Sequence, residues 1–231
     1  AVLWLMPTIK TSWRGPAAAS ALAGRHLALP KSQTLLICGS GQQAEPHVEA
    51  LMRVLPIRRV FAWDIDRRRA SLFAKQIADG LGVSAQAVAR LEDVSRDCDV
   101  IVTCTTSRLA FLGPEHVSPG SFIAAVGADS PSKSEIAPQL MERATIIVDS
   151  FEQCVAMGDL RLAIASSALS SSDVHADLGE VADGSKRGRT REDEIILFDS
   201  TGTAIEDVAS AAMVYERALA TNRGLPFVLS H

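Results

Sequence analysis

Short, almost wholly apolar runs recur along the chain at 35–38 (LLIC), 99–104 (DVIVTC), 121–126 (SFIAAV), 145–149 (TIIVD) and 194–199 (EIILFD). A continuous run of this kind suits a parallel strand buried on both faces. Two further strands are expected at 60–63 and 85–89. Between them the spacing turns helical. Residues 44–55 carry apolar side chains at Ala44, Val48, Leu51, Met52 and Leu55, and 67–78 follow the same period. An Ala-rich helix is expected over 16–29, a helix over 173–182, and a long amphipathic helix over 203–221 with Ile205, Val208, Ala209, Ala212, Met213 and Leu219 on one face. Repeated alternation of strand and helix predicts an α/β protein, a Rossmann-type doubly wound parallel sheet covered by helices. The segment 159–193 breaks the rhythm with SSALSSSD and the basic turn SKRGRTR, and reads as an excursion or lid.

The first strand runs into Gly39-Ser40-Gly41-Gln42-Gln43-Ala44, which fills the small positions of G-x-G-x-x-G/A. The first glycine permits a tight turn, the second lets backbone approach a pyrophosphate, and the third position allows close helix–strand packing. The helix that follows aims its N-terminal amides at the phosphates, and Pro46 is tolerated in its first turn. Asp64 ends the next strand, 20 residues after Ala44, where a carboxylate accepts hydrogen bonds from a ribose. Alone the glycine pattern is weak, but strand, turn, helix, strand and acid stand in the order that dinucleotide binding needs. The cofactor expected is NAD or NADP: Asp64 favours NAD, since a carboxylate repels a 2′-phosphate, whereas Arg67, Arg68 and Arg69 could pair with one, although they read more simply as the solvated first turn of the next helix.

Composition narrows the partners. With 231 residues, 47% apolar, 22% charged and a net charge of −4, the chain can bury a large core and lacks the basic surface that nucleic acid or anionic lipid attracts. No apolar run approaches a membrane span and no signal peptide is evident, so a cytoplasmic location is expected. Cys38, Cys98, Cys104 and Cys154 form no C-x-x-C pair and read as buried free thiols. The five histidines have no metal-ligand spacing, so no metal site is expected.

Ligands of such sheets bind beyond the carboxyl ends of strands. Three small polar clusters stand there: Thr105, Thr106 and Ser107; Gly127 to Lys133; and Ser200, Thr201 and Gly202. With GSGQQA upstream, VGADSPSKSE in the middle and DLGEVADG…GRTREDEIILFDSTGTAIEDVASAAMVYERAL downstream, the chain resembles the ornithine cyclodeaminase/mu-crystallin family over about residues 17–220.

That resemblance implies a dinucleotide-binding domain inserted into a second α/β domain for substrate and dimer contacts, of which only remnants are present. The expected divisions are 1–30, a remnant of the second domain with the entry helix; 31–158, the dinucleotide-binding domain; and 159–231, the excursion, last strand and returning helix. It further implies that Gly39, Gly41, Gln42 and Gln43 hold the cofactor turn, with Asp64 at the ribose and Thr106 near the dinucleotide. Val126, Gly127 and Ala128 would lie on the nicotinamide side, with Lys133 and Ser200 nearby. Asp129 is the catalytic candidate. Moving a proton to or from nitrogen while nicotinamide carries the hydride needs a group of this kind, and the apolar FIAAV strand predicts a desolvated carboxyl with a raised pKa. Arg14 is the candidate for gripping the substrate carboxylate, one residue out of the family register, and Thr201 a second substrate contact. The family's upstream arginine and lysine are not in the chain, so it reads as a fragment or as a short form. In the second case apolar contacts around Trp4, Leu5 and Trp13 would be exposed. The implied activity is NAD(P)-dependent reduction of a small imino acid of the pyrroline-2-carboxylate type, by a homodimer. Ornithine cyclodeamination to proline and ammonia, and non-catalytic NAD(P)H binding, are the alternatives.

Overall fold

The computed structural model describes residues 2–3, 14–223 and 227–228; Trp4, Leu5 and Trp13 lie outside the described residues. In chain order they form β1 (Val2–Leu3), α1 (Arg14–Leu27), β2 (Thr34–Cys38), α2 (Ala44–Met52), β3 (Arg59–Trp63), α3 (Arg67–Leu81), β4 (Ser84–Ala87), β5 (Val100–Thr103) and β6 (Phe122–Ala125). The chain continues through α4 (Pro138–Met141), β7 (Thr145–Val148), α5 (Phe151–Ala156), α6 (Leu160–Ala165), β8 (Val174–Asp177), α7 (Leu178–Ala182), β9 (Ile196–Asp199), α8 (Ala204–Ala220) and β10 (Phe227–Val228). Eight strands make one all-parallel sheet in the order β4-β3-β2-β5-β6-β9-β7-β8, and β1 pairs antiparallel with β10.

The alternation of side chains along each strand divides the core into two layers. Leu35, Ile37, Val60, Val100, Val102, Phe122, Ile196 and Phe198 face Leu27 of α1, Val48 and Leu51 of α2, Phe73 and Ile77 of α3 and Val181 of α7. Leu36, Cys38, Ile101, Ile123, Ile146, Val148 and Leu197 face Leu140, Met141, Cys154, Leu160 and Ala163 on the other side. Both faces are covered, which is why these strands read as unbroken apolar runs. Each fully buried Leu, Ile or Phe here contributes about 1.5–3 kcal/mol. The four cysteines are free thiols, three buried and Cys104 half-buried, as expected.

The segment after α6 departs from the reading of the sequence. In place of one helix over 173–182, Val174–Asp177 forms a strand that pairs parallel with β7 and edges the sheet, and only Leu178–Ala182 is helical. The region expected to be an excursion therefore carries a strand of the main sheet. Its basic turn is fixed rather than loose: the Arg189 guanidinium donates to the carbonyls of Leu27, Gly120 and Glu194, fastening the turn to the end of α1 and the start of β6. α8 is helical as expected, yet Ile205, Val208 and Met213 on it are each more than 60% exposed. No helix among the described residues is long and apolar enough to cross a membrane.

Candidate functional site

The sheet order reverses beside β2, between chain neighbour β3 on one side and β5 on the other, and a cleft opens where the two outgoing loops part. Gly39 sits at φ +98°, and a Cβ there would lie 2.8 Å from the Cys104 carbonyl oxygen, so both backbone conformation and the neighbouring loop require glycine. Gly41 differs: a Cβ on it would meet nothing within 4 Å, because its α-carbon faces open cleft. No side chain caps the first turn of α2, which leaves N-terminal amides for an anion. Asp64 closes the turn from β3, accepting from the Ser40 amide at 2.7 Å and the Asp66 amide at 2.9 Å.

A cavity of about 720 Å³ runs along this turn. Gly39, Gly41, Gln42, Gln43, Asp64, Thr106, Gly127, Asp129 and Lys133, all sequence candidates, line it together. Trp63 and Phe111, their rings 5.2 Å apart, form an aromatic wall of this cavity that the glycine pattern gave no sign of. A second cavity of about 410 Å³ is lined by Gln43, Val126, Asp129, Ser200, Thr201, Gly202 and Glu206 among others. Ala128 is buried and lines neither. Arg14 lines a third depression with Ser40, Gly41, Gln42 and Arg69, on the phosphate-turn side, and is not among the residues around Thr201.

Asp129 stands where the first two cavities meet. It is not the desolvated group expected: its side chain is 45% exposed and its carboxylate is ion-paired with Lys133 Nζ at 2.6 Å. The loop lifts Asp129 clear of the FIAAV strand, whose burial ends at Ala128. The buried carboxyl of this loop is Glu135, fully shielded from solvent, whose Oε1 accepts from the Thr105 amide at 2.6 Å and Oε2 from the Gly127 amide at 2.8 Å.

Behind it lie three further acids, Asp159 and Asp199 buried and Asp149 half-buried. Asp159 Oδ1 accepts from Ser134 Oγ and from the amides of Glu135 and Ile136. Asp199, at the end of β9, accepts from the Asp159 and Leu160 amides at the start of α6. Asp149, after β7, organises the turn beneath the second cavity: Oδ2 accepts from Ser200 Oγ and from the Thr201 and Gly202 amides, and Oδ1 from the Ser150 amide. Ser200 is therefore buried and its hydroxyl committed, while Thr201 remains at the cavity surface.

Burial pushes Glu135 up to about 7, with the Asp159 charge adding to it. Glu206 is likewise raised to about 7, by burial and then by Asp149. Asp199 is raised well above the usual carboxylate range by burial and by Asp159. A carboxyl with a raised folded-state pKa holds a proton that the unfolded chain releases. Its contribution to stability is fully present below the ordinary value of 4.5 and is lost as pH rises through about 7. Burial lowers His47 to about 4, which opposes this only as pH falls below 6.5. The melting temperature is thus expected to be higher at about pH 6 than at about pH 8. Scanning calorimetry at both values checks it, and an equal or higher value at the alkaline end contradicts it.

The model of the ornithine cyclodeaminase/mu-crystallin family matches residues 2–222. The alanine dehydrogenase of Archaeoglobus fulgidus is 42% identical over 217 residues, 94% of this chain and 66% of that protein. An archaeal alanine dehydrogenase dimer with bound NAD has a TM-score of 0.89 at 40% identity, covering 96% of this chain and 68% of the other. The Thermococcus litoralis Delta(1)-pyrroline-2-carboxylate reductase in complex with NADH and L-proline has a TM-score of 0.90 at 29% identity, covering 95% and 68%. The chain spans about two thirds of the length of these relatives.

Proposed function

Because the chain belongs to the ornithine cyclodeaminase/mu-crystallin family, we propose that it is part of an NAD(P)-dependent oxidoreductase that interconverts a small amino acid and its imine. The observation that carries this reading is the position of Asp129, on the rim shared by the dinucleotide-sized cleft and the second, smaller cavity. A proton-handling carboxylate there would adjoin both a bound cofactor ring and a substrate nitrogen.

The cleft fits a dinucleotide on its own features. Gly41 leaves the phosphate turn open, α2 presents an uncapped N-terminus, and Asp64 stands at the end of β3, where a ribose would lie. Asp64 favours NAD, and the bound cofactor would supply hydride transfer. The protein's part is to orient and to move protons. Trp63 and Phe111 exclude water from one wall, Thr106 and Gly127 line the same cavity, and Asp129 takes the proton from a substrate amine or returns it, with Lys133 as its counter-charge. Thr201 and Gln43 line the second cavity, where they can hydrogen-bond a small polar substrate. Arg14, on the phosphate-turn side, suits a cofactor phosphate better than the substrate carboxylate. In the assembled enzyme the exposed apolar residues of α8 would be covered, consistent with a homodimer like the archaeal relative.

Fluorescence titration with NADH tests the cofactor. Gly41→Ala is expected to weaken NADH at least about tenfold, about 1.4 kcal/mol, with an unchanged melting temperature, since the added methyl intrudes only on space the ligand needs. Absence of NADH binding by the parent overturns the reading. Product analysis then selects the reaction. Oxidation of NADH by pyrroline-2-carboxylate, or its formation from alanine, supports an imine-forming oxidoreductase; proline and ammonia from ornithine without net NADH change selects cyclodeamination.

A further inference from the structure

We infer that Glu135 is a positioning residue for the cofactor cleft, a buried carboxylate whose two oxygens clamp the loops leaving β5 and β6 at the separation that dinucleotide binding requires. The inference rests on the proposed NAD(P) reading of that cleft. Its basis is the division of labour between the two oxygens. Oε1 holds the Thr105 amide and Oε2 the Gly127 amide, so one side chain ties together backbone from two adjacent strand ends. Thr105 and Gly127 themselves line the 720 Å³ cavity, and each leads into a residue that lines it too, Thr106 and, past Ala128, Asp129. The clamp displaces other side chains: a Cβ on Gly127 would fall 2.4 Å from Glu135 Cδ. Glu135 is in turn anchored from behind, because its own amide donates to Asp159 Oδ1 at 2.8 Å.

An ionised carboxylate accepts from both amides with charge on each oxygen; once protonated, its hydroxyl oxygen carries a hydrogen and accepts far more weakly, so that side of the clamp loosens. The titratable groups facing Glu135 are Asp159 at the start of α6 and the thiols of Cys38 and Cys104 at the ends of β2 and β5. Burial raises both thiols far enough that they stay neutral near neutral pH. With the carboxyl at about 7, the clamped fraction falls to roughly a tenth at about pH 6, and the apparent Kd rises in inverse proportion. Stability moves the opposite way, because the folded chain gains from the same proton. A residue that merely held up the fold would make binding and melting temperature change together.

The decisive experiment titrates NADH by fluorescence from about pH 6 to about pH 8 on the parent and on Glu135→Gln, with melting temperatures on the same samples. The parent is expected to bind about tenfold more weakly at the acid end while melting higher there. Glu135→Gln, whose amide group must set an N–H against one of the loop amides, is expected to bind at least about tenfold more weakly than the parent at about pH 8, with no comparable acid loss. A parent Kd that is flat across the range overturns the clamp even if the variant does not fold. So does a variant with the parent's Kd and pH profile. A parent that binds no NADH at any pH removes the cofactor reading and the clamp with it, an outcome distinct from binding that ignores Glu135.

Discussion

Asp129→Asn is expected to lower turnover by about 10²–10⁴-fold while the Kd for NADH stays within about twofold of the parent. The substitution keeps the shape and the position on the rim between the two cavities, and removes the ability to take up a proton. Asn still accepts one hydrogen bond from Lys133, so the loop should stand as it does around the 2.6 Å ion pair. The loss should therefore appear in kcat, with KM little changed, as expected when an interaction belonging to the transition state is removed. Steady-state kinetics with pyrroline-2-carboxylate, and with alanine in the oxidative direction, measure it. A change of less than about tenfold, about 1.4 kcal/mol of barrier, would take Asp129 out of the chemistry. Tight NADH binding with no turnover in either protein would favour a role as a nucleotide-binding protein.

The second large effect is on stability. Asp149→Ala leaves Ser200 Oγ and the amides of Ser150, Thr201 and Gly202 without their acceptor. A hydrogen bond to a charged group contributes about 1.5–3 kcal/mol, and because the four act as a unit the combined cost is expected to be about 3–5 kcal/mol. For a chain of this size that lowers the melting temperature by about 6–20 °C. Asp149→Asn, with a single acceptor oxygen, should fall between alanine and the parent. A melting temperature within about 2 °C of the parent for the alanine variant would mean that solvent replaces the carboxylate at that turn.

Much of the fold could be read from local pattern, for a physical reason. A strand covered on both faces must be apolar at every position, so β2, β5, β6, β7 and β9 announced themselves. The turn at Gly39 was legible because its steric demand falls on one residue type. β8 was not. Its Val174 and Ala176 alternate over only four residues before the helical spacing of Leu178 and Val181 begins, and HADLGEVA favours helix by propensity. Its strand identity comes from β7, a partner distant in sequence.

The site divides similarly. Residues projecting from strand ends into the cleft were found, because topology dictates where they lie. Glu135 and Asp159 were not singled out, and Asp149 and Asp199 were read only as the close of apolar runs, since nothing local tells a solvated carboxylate from one covered by a second loop. A sharper signal existed in TIIVD and EIILFD, where an acid follows an apolar run without a break. The misjudged burial of Asp129 has the same origin: shielding depends on the path of the whole loop, and here the loop carries Asp129 outward and turns Glu135 in.

The place of β9 also bears on how the molecule assembles during synthesis. β9 pairs with β6 on one side and β7 on the other, and among the described strands β7 pairs otherwise with β8 alone. Without residues 196–199 no strand pairing joins β4-β3-β2-β5-β6 to β7-β8, so the eight-stranded sheet cannot close before that segment has been synthesised. Until then β6 and β7 would each lack a pairing partner on that side, and unpaired strand edges favour aggregation. Closure comes from a single four-residue segment that arrives last in the sheet and brings Asp199 to the head of α6, so completing the scaffold and setting the acids behind the cleft are one event.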